Sequence, residues 1–386
     1  MRVVSLGCTL WLNPRRLETK VSPGLIQDLA GASRGHLAAC ERKTVSLFRG
    51  IATISSVPTG QIATCGVLIS TRIRIVALVL SLAFSHAVHG ASDAARLELK
   101  RGDIVAFVGG ADVAAAQNTG HLETLLAIQF PGVRFRNFGG EGDTVFERPR
   151  MMGFPPLKEH LQRAKASVVI LQFGRAEVLG GGRSARVFND AYEKLLDDLA
   201  PLDVRFALVV PAPFENAGAA PLPDLSTRNR ELAEHADTVR AIAQKRKLPV
   251  IDLFSEFGGI AHREPLLTRN GLQLTERGEA LVANAFMRQL GFDDLAKRAG
   301  DPDENGGWPN AKFERVRRLV VAKNRLWFDY WRPHNWAFLG GDRVSQPSSR
   351  DHRDPKIRWF PEEMEKFVPL IQKAELEIDE AALAAK

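Results

Sequence analysis

Five short, mostly apolar runs alternate with segments of helical spacing between residues 96 and 292, and this rhythm limits what the chain can fold into. The runs cover 103–109, 133–138, 167–173, 204–210 and 248–253. The first ends in glycine, the second meets Gly139-Gly140, the third ends at Gly174 and the fourth is closed by Pro211. Helical spacing covers 121–130, 157–166, 187–199, 226–247 and 275–290, with Ser226 or Thr227 and Thr275 as expected N-caps. Apolar strands separated by helices imply a parallel sheet covered on both faces. The expected fold is α/β: a doubly wound, flavodoxin-like, three-layer sandwich. Ligands of such sheets bind beyond the carboxyl ends of the strands, which is where the glycines stand.

The formal net charge of +7 does not describe this region. Residues 1–90 hold ten Lys/Arg and three Asp/Glu, whereas residues 91–386 hold 42 of each sign. The balance gives no support for nucleic-acid binding. Cys8, Cys40 and Cys65 also lie in the first 90 residues, and a thiol-free body fits an oxidising exterior. Arg72 and Arg74 precede an apolar run at 75–84, followed by the small residues Val88 and Gly90. That pattern is a secretory signal peptide over 69–90 with cleavage before Ala91, and the run is shorter than the roughly 20 residues of a membrane span. A buried core helix is the competing reading. Residues 1–68 show neither strand nor helix period, which points to initiation near Val67 or Leu68, with a disordered leader as the alternative. The expected location is exported, periplasmic or extracellular.

Four strand-end blocks carry the candidate chemistry. They are Phe107-Val108-Gly109-Gly110-Ala111-Asp112, Asn137-Phe138-Gly139-Gly140-Glu141-Gly142-Asp143-Thr144, Phe173-Gly174-Arg175-Ala176-Glu177 and Asn270-Gly271-Leu272-Gln273-Leu274-Thr275. In order and position they resemble the blocks of the Ser-Gly-Asn-His (SGNH) hydrolases, the GDSL-type esterases, over about residues 96–292. The resemblance implies a degenerate member. Ala111 stands where the family has its serine nucleophile and cannot attack a carbonyl. Gln273 stands in the place of the histidine base, and a carboxamide does not shuttle protons near neutrality. Asn270 replaces the orienting aspartate and Ala176 the oxyanion-hole asparagine. Gly139 is then the survivor of the catalytic set, with the backbone N–H of Ala111.

Asp112, Asp143 and Glu177 follow three different strand ends. One reading is an oxygen-ligand site for a hard cation; the plainer one, adopted as the expectation, is helix capping and loop bracing. No metal or cofactor is expected. Ser167, Ser184 and Ser226, and His121, His160, His235 and His262, are placed by no motif. The run Gly180-Gly181-Gly182 lacks the Lys and Ser/Thr of a phosphate loop.

Residues 298–310 read as a linker and 311–386 as a helical extension of the domain at 91–297. Phe313, Val316, Leu319, Val320, Asn324, Trp327 and Trp331 follow a helix period. Five of the six tryptophans (Trp308, Trp327, Trp331, Trp336, Trp359) fall in this tail. Either the rings form a sugar- or partner-binding face, or the helix clamps back onto the domain; the periodicity favours the clamp. Residues 320–333 also resemble a tail found after the hydrolase domain in some exported bacterial members of the family. Residues 361–385 read as an amphipathic helix that packs externally or meets a partner. The functional expectation is a non-catalytic pseudohydrolase. It would bind a small ester- or sugar-like ligand or support an assembly through its aromatic helices, without nucleic acid and without a stable membrane span. The alternatives are an active ester hydrolase (of carbohydrate or lipid esters) with a rewired site, and a purely structural partner protein.

Overall fold

The computed structural model describes residues 96–386 apart from 150–154, 182–183, 262–263, 335, 337–338, 340–341 and 348–349. The leader, the signal pattern and His262 therefore lie outside the described residues. The α/β portion runs β1 (Ile104–Gly109), α1 (Ala111–Thr119), α2 (His121–Gln129), β2 (Arg134–Asn137), α3 (Leu157–Ala164), β3 (Val168–Gln172), α4 (Arg175–Gly180), α5 (Ala185–Leu199), β4 (Arg205–Val210), α6 (Asn229–Arg246), β5 (Val250–Asp252), α7 (Leu253–Glu256), α8 (Glu276–Gln289) and α9 (Asp293–Ala299). The extension adds α10 (Ala311–Trp331), α11 (Trp359–Glu365) and α12 (Phe367–Ala385).

All pairings are parallel and the strand order is β2-β1-β3-β4-β5, the doubly wound order expected from the sequence. Alternation along each strand divides the core. Val105, Phe107, Ile170 and Val209 face one layer, built from α2, α8, α9 and α10. Ala106, Val108, Leu171 and Val210 face the other, built from α3, α5 and α6. A strand with both faces buried must be apolar at successive positions, which is the pattern of 103–109 and 167–173. The order reverses between β1 and β3, so the crevice beyond their carboxyl ends is the natural ligand position.

The helix caps follow the sequence with one exception. Thr275 caps α8 by accepting from Gly278 N–H. Ser226 and Thr227 do not cap α6. They lie in a short 3-10 turn whose cap is Asp224, which accepts from Ser226 N–H at 3.0 Å. Asp wins here because its carboxylate reaches the second orphan N–H of the turn.

The C-terminal extension belongs to the same compact unit as the α/β portion. The segment read as a linker is fastened down: Gly306 carbonyl contacts His121 Nε2 at 2.7 Å, and Trp308 packs edge-on against the His121 ring. Helix α10 buries Phe313, Val316, Val320 and Trp327, so the clamp reading fits the geometry of this helix. Helix α12 packs against its own chain through Ile371, Ile378 and Ala382.

The junction has a repeating hydrogen-bond pattern. Strand β2 is an edge strand, and its odd-numbered carbonyls point away from β1. Lys323 Nζ donates to Phe135 O at 3.2 Å, Trp327 Nε1 to Asn137 O at 2.8 Å, and Arg332 Nη1 to Gly139 O at 2.9 Å. Two strand residues advance ~6.6 Å and four helix residues ~6 Å, so Lys323 and Trp327, one turn apart, meet carbonyls two residues apart, and Arg332, just past the end of α10, reaches the next one. Arg134 and Arg136 of the same strand pair with Asp379 and Glu375 of α12. No helix among the described residues is long and apolar enough to cross a membrane.

Candidate functional site

A cleft of about 230 Å³ opens at the carboxyl ends of β1 and β3. Five of the sequence-derived site residues line it: Ala111, Asp112, Gly174, Ala176 and Glu177. Gly109 lies just beneath, ending β1. A Cβ there would stand 2.4 Å from Gln172 O and 2.6 Å from a Val113 methyl, so no other residue lets β1, β3 and α1 approach this closely. Gly174 holds φ at +137°, which an L side chain rarely adopts, and this turn feeds β3 into α4.

Gly139 is not brought to the cleft. Its N–H donates to the Asn137 carboxamide at 2.8 Å, and a Cβ would meet the α1 backbone at Ala114 N, 2.5 Å away. Gly139 is thus a packing glycine between β2 and α1, and its N–H is already spent. The neighbouring loop reaches the cleft instead through Glu141 and Asp143. Asn270 and Gln273 sit together in the turn before α8: Asn270 Oδ1 accepts from Gln273 N–H at 2.8 Å, and their side chains meet at 3.5 Å. Gln273 is exposed and does not line the cleft. Buried Glu215 fixes this loop by accepting from Leu267 N–H, Thr268 N–H and the Thr268 hydroxyl.

The residue that organises the cleft is Arg175, which sequence reasoning passed over as the variable position between Gly174 and Ala176. Its side chain is only 5% exposed. Nη1 donates to both Asp112 oxygens at 3.0 and 3.1 Å, Nη2 donates to Leu272 O at 2.7 Å, and the guanidinium stands 4.9 Å from the Phe214 ring centre. One side chain therefore ties α1, α4 and the loop before α8 together, and it occupies Asp112 with a two-pronged ion pair.

Glu177 is a brace. Its two oxygens accept from Val145 N–H and Gly174 N–H, both at 2.7 Å. Burial raises its pKa, and those N–H groups pull the other way. The capping and bracing expectation for this acid is the geometry found. Among the described residues no group of three or more His, Cys, Asp or Glu is arranged to hold a metal. The serines named from sequence have structural partners. Ser167 hydroxyl donates to Asp103, Ser184 caps α5, and Ser226 hydroxyl donates to Asp224. The helical histidines are buried: His235 Nδ1 contacts Glu231 O at 3.0 Å, and burial drops His121 to about 4.

A second acid, Glu279 in the first turn of α8, was also missed, because a glutamate four residues after a Thr cap reads as a routine helix start. It lines a small apolar cavity of about 70 Å³ behind Asp112. Burial, with the Asp112 charge added, pushes its pKa up to about 8, and Arg175 opposes the shift. Its folded pKa lies above its unfolded one, so its effect on stability is most favourable at low pH and declines as pH rises from about 4.5 to 8. The slope is at most about 1.4 kcal/mol per pH unit. Glu279→Gln removes the titration. Between pH 5.5 and 7 the variant is expected to gain about 2 kcal/mol relative to the parent in urea unfolding, the histidines cancelling in the difference. A pH-independent difference would contradict this.

Residues 103–281 match the GDSL-like Lipase/Acylhydrolase family model. The α/β portion of this chain is thus similar to the GDSL-like lipase/acylhydrolase domain over that segment. Solved structures similar to the chain include a catalytic mutant of an acetylxylan esterase from Geobacillus stearothermophilus, at 17% identity, covering 51% of this chain and 97% of that one, TM-score 0.42. An α/β hydrolase enzyme from the metagenome of Lake Arreo, Spain, is similar at 18% identity over 50% and 98% of the two chains, TM-score 0.41. A putative acylhydrolase from Bacteroides fragilis is similar at 17% identity over 53% and 93%, TM-score 0.39. No curated protein matches the sequence. Within the matched segment, the cleft stands beyond the carboxyl ends of β1 and β3, where doubly wound sheets bind ligands, with Ala111 at the head of α1.

Proposed function

We propose that this chain is an exported pseudohydrolase whose cleft binds a small ester- or sugar-like ligand without cleaving it. The observation that carries this reading is the composition of the cleft wall. Among the described residues lining it there is no hydroxyl, thiol, imidazole or amine. An acyl-transfer site needs a nucleophile and a base within hydrogen-bond reach. Here Ala111 fills the first place, and the Gln273 carboxamide lies outside the wall. Three of the four carboxylates on the wall are committed elsewhere: Asp112 is held by Arg175, Glu141 by Arg332, and Glu177 by two backbone N–H groups. Export is supported by the basic, apolar and small-residue succession at 72–90.

The test starts from protein recovered outside the producing cell, whose N-terminus is expected at Ala91. With p-nitrophenyl acetate and acetylated xylo-oligosaccharide as substrates, turnover is expected to stay at the level of heat-killed protein. Hydrolysis well above that level would overturn the reading. Loss of such hydrolysis in Asp112→Asn or Glu279→Gln would establish a rewired acid–base site in its place.

A further inference from the structure

A second and larger cleft, of about 460 Å³, lies between the end of β2, helix α3 and the C-terminal helices. Its volume falls in the range of small-molecule sites, and its lining shares no residue with the cleft around Ala111. We propose that this cleft binds an acidic pyranose, a six-membered sugar ring bearing a carboxylate, as in uronic-acid saccharides.

Two features of the wall carry the assignment. The first is aromatic. Phe138, Tyr330 and Trp331 line the cleft, with Phe138 and Trp331 packed edge to face at 4.9 Å between ring centres. Tyr330 and Trp331 are only partly buried. Half-wet rings of this kind offer flat apolar surface beside polar groups, which suits a ligand with one C–H face and hydroxyls around its rim. Tyr330 keeps its hydroxyl at the wall, donating to Glu365 at 3.2 Å.

The second feature is charge. Arg163 and Lys165, at the carboxyl end of α3, also line the cleft, and both are exposed. Neither has a carboxylate partner among the described residues. Arg163 acts across the cleft: its charge opposes the burial-driven rise of the Tyr330 pKa and adds to the burial that lowers His160 to about 4. The acids facing this space are few. Glu365, the one acid on the described wall, accepts from Tyr330, and the other two wall cations are committed, Arg136 to Glu375 and Arg358 to the Leu339 carbonyl. His160 is buried and neutral at physiological pH. Two uncommitted cations against one exposed acid favour an anion, and a guanidinium beside an ammonium suits a carboxylate. A neutral sugar would use the rings and leave both cations idle; a simple aromatic acid would use the cations and leave most of the cleft empty.

The assignment is independent of whether the Ala111 cleft is catalytic. The experiment is calorimetry at low salt on the full chain with three probes: trigalacturonate, galactotriose and benzoate. Trigalacturonate is expected to bind at least tenfold more tightly than either control. The double variant Arg163→Gln/Lys165→Gln changes only exposed side chains and is expected to lower that affinity at least tenfold. Trp331→Ala, if it folds, is expected to do the same and to remove part of the ligand-induced change in tryptophan fluorescence. If trigalacturonate binds no better than galactotriose or benzoate, or if the double variant keeps parental affinity, the proposal is wrong.

Discussion

Replacing Lys323 with methionine is expected to cost ~3–5 kcal/mol of stability, the largest loss anticipated from any single change in the extension. Lys323 is 1% exposed, and its ammonium pairs with Glu123 Oε1 at 2.6 Å while donating to Phe135 O and Asn324 Oδ1. Burial lowers its pKa, and the Glu123 charge beside it opposes that. Removing one partner strands the other. Glu123, 8% exposed, would be left as an unpaired carboxylate, and Phe135 O would lose a donor. The urea midpoint should fall accordingly. The companion variant Glu123→Gln/Lys323→Met should recover most of the loss, because no buried charge remains. A loss below ~1 kcal/mol in the single variant would mean that water reaches this site.

Restoring four side chains is expected to produce ester hydrolysis. The variant carries Ala111→Ser, Ala176→Asn, Asn270→Asp and Gln273→His, and its rate on p-nitrophenyl acetate should exceed that of the parent by at least ~10³-fold. Three features of the structure favour that result. Ala111 opens α1 at the cleft, so a hydroxyl there would sit beside an orphan first-turn N–H. Ala176 lines the same wall and would present the new carboxamide. Asn270 already contacts Gln273, and Arg175 ties the intervening Leu272 to the cleft. Ala111→Ser alone should stay at background, since a serine without a base is a poor nucleophile. If the fourfold variant is also silent while folded, the loop at 270–273 has moved out of reach of position 111.

The fold was legible because its strands are buried on both faces. Within the segments 103–109 and 167–173, Ile104 to Val108 and Val168 to Leu171 had to be apolar, and the structure places β1 and β3 inside those bounds. Helix α1 escaped notice because Ala114-Ala115-Ala116 has no apolar period to read. The site was legible only as positions. Family blocks located the cleft, but a motif cannot say which glycine of Gly139-Gly140-Glu141-Gly142 turns its N–H outward, and Gly139 spends its own on Asn137. Arg175 was invisible for a related reason. Its meaning lies in Asp112, 63 residues away, and in the carbonyl of Leu272, 97 residues away. Lys323 likewise looks like an ordinary solvated charge between Ala322 and Asn324 until the edge strand is laid beside it.

The ladder of donors from Lys323, Trp327 and Arg332 onto β2 and its continuation at Gly139 also bears on how the protein behaves in a crowd. An uncovered edge strand is a template on which another chain can add a strand, and repeated addition leads to polymers. Here the outward carbonyls of Phe135, Asn137 and Gly139 are each taken by a side chain from the extension. The extension thus terminates the sheet as well as packing against it, so a protease nick that releases the tail would expose a growing end.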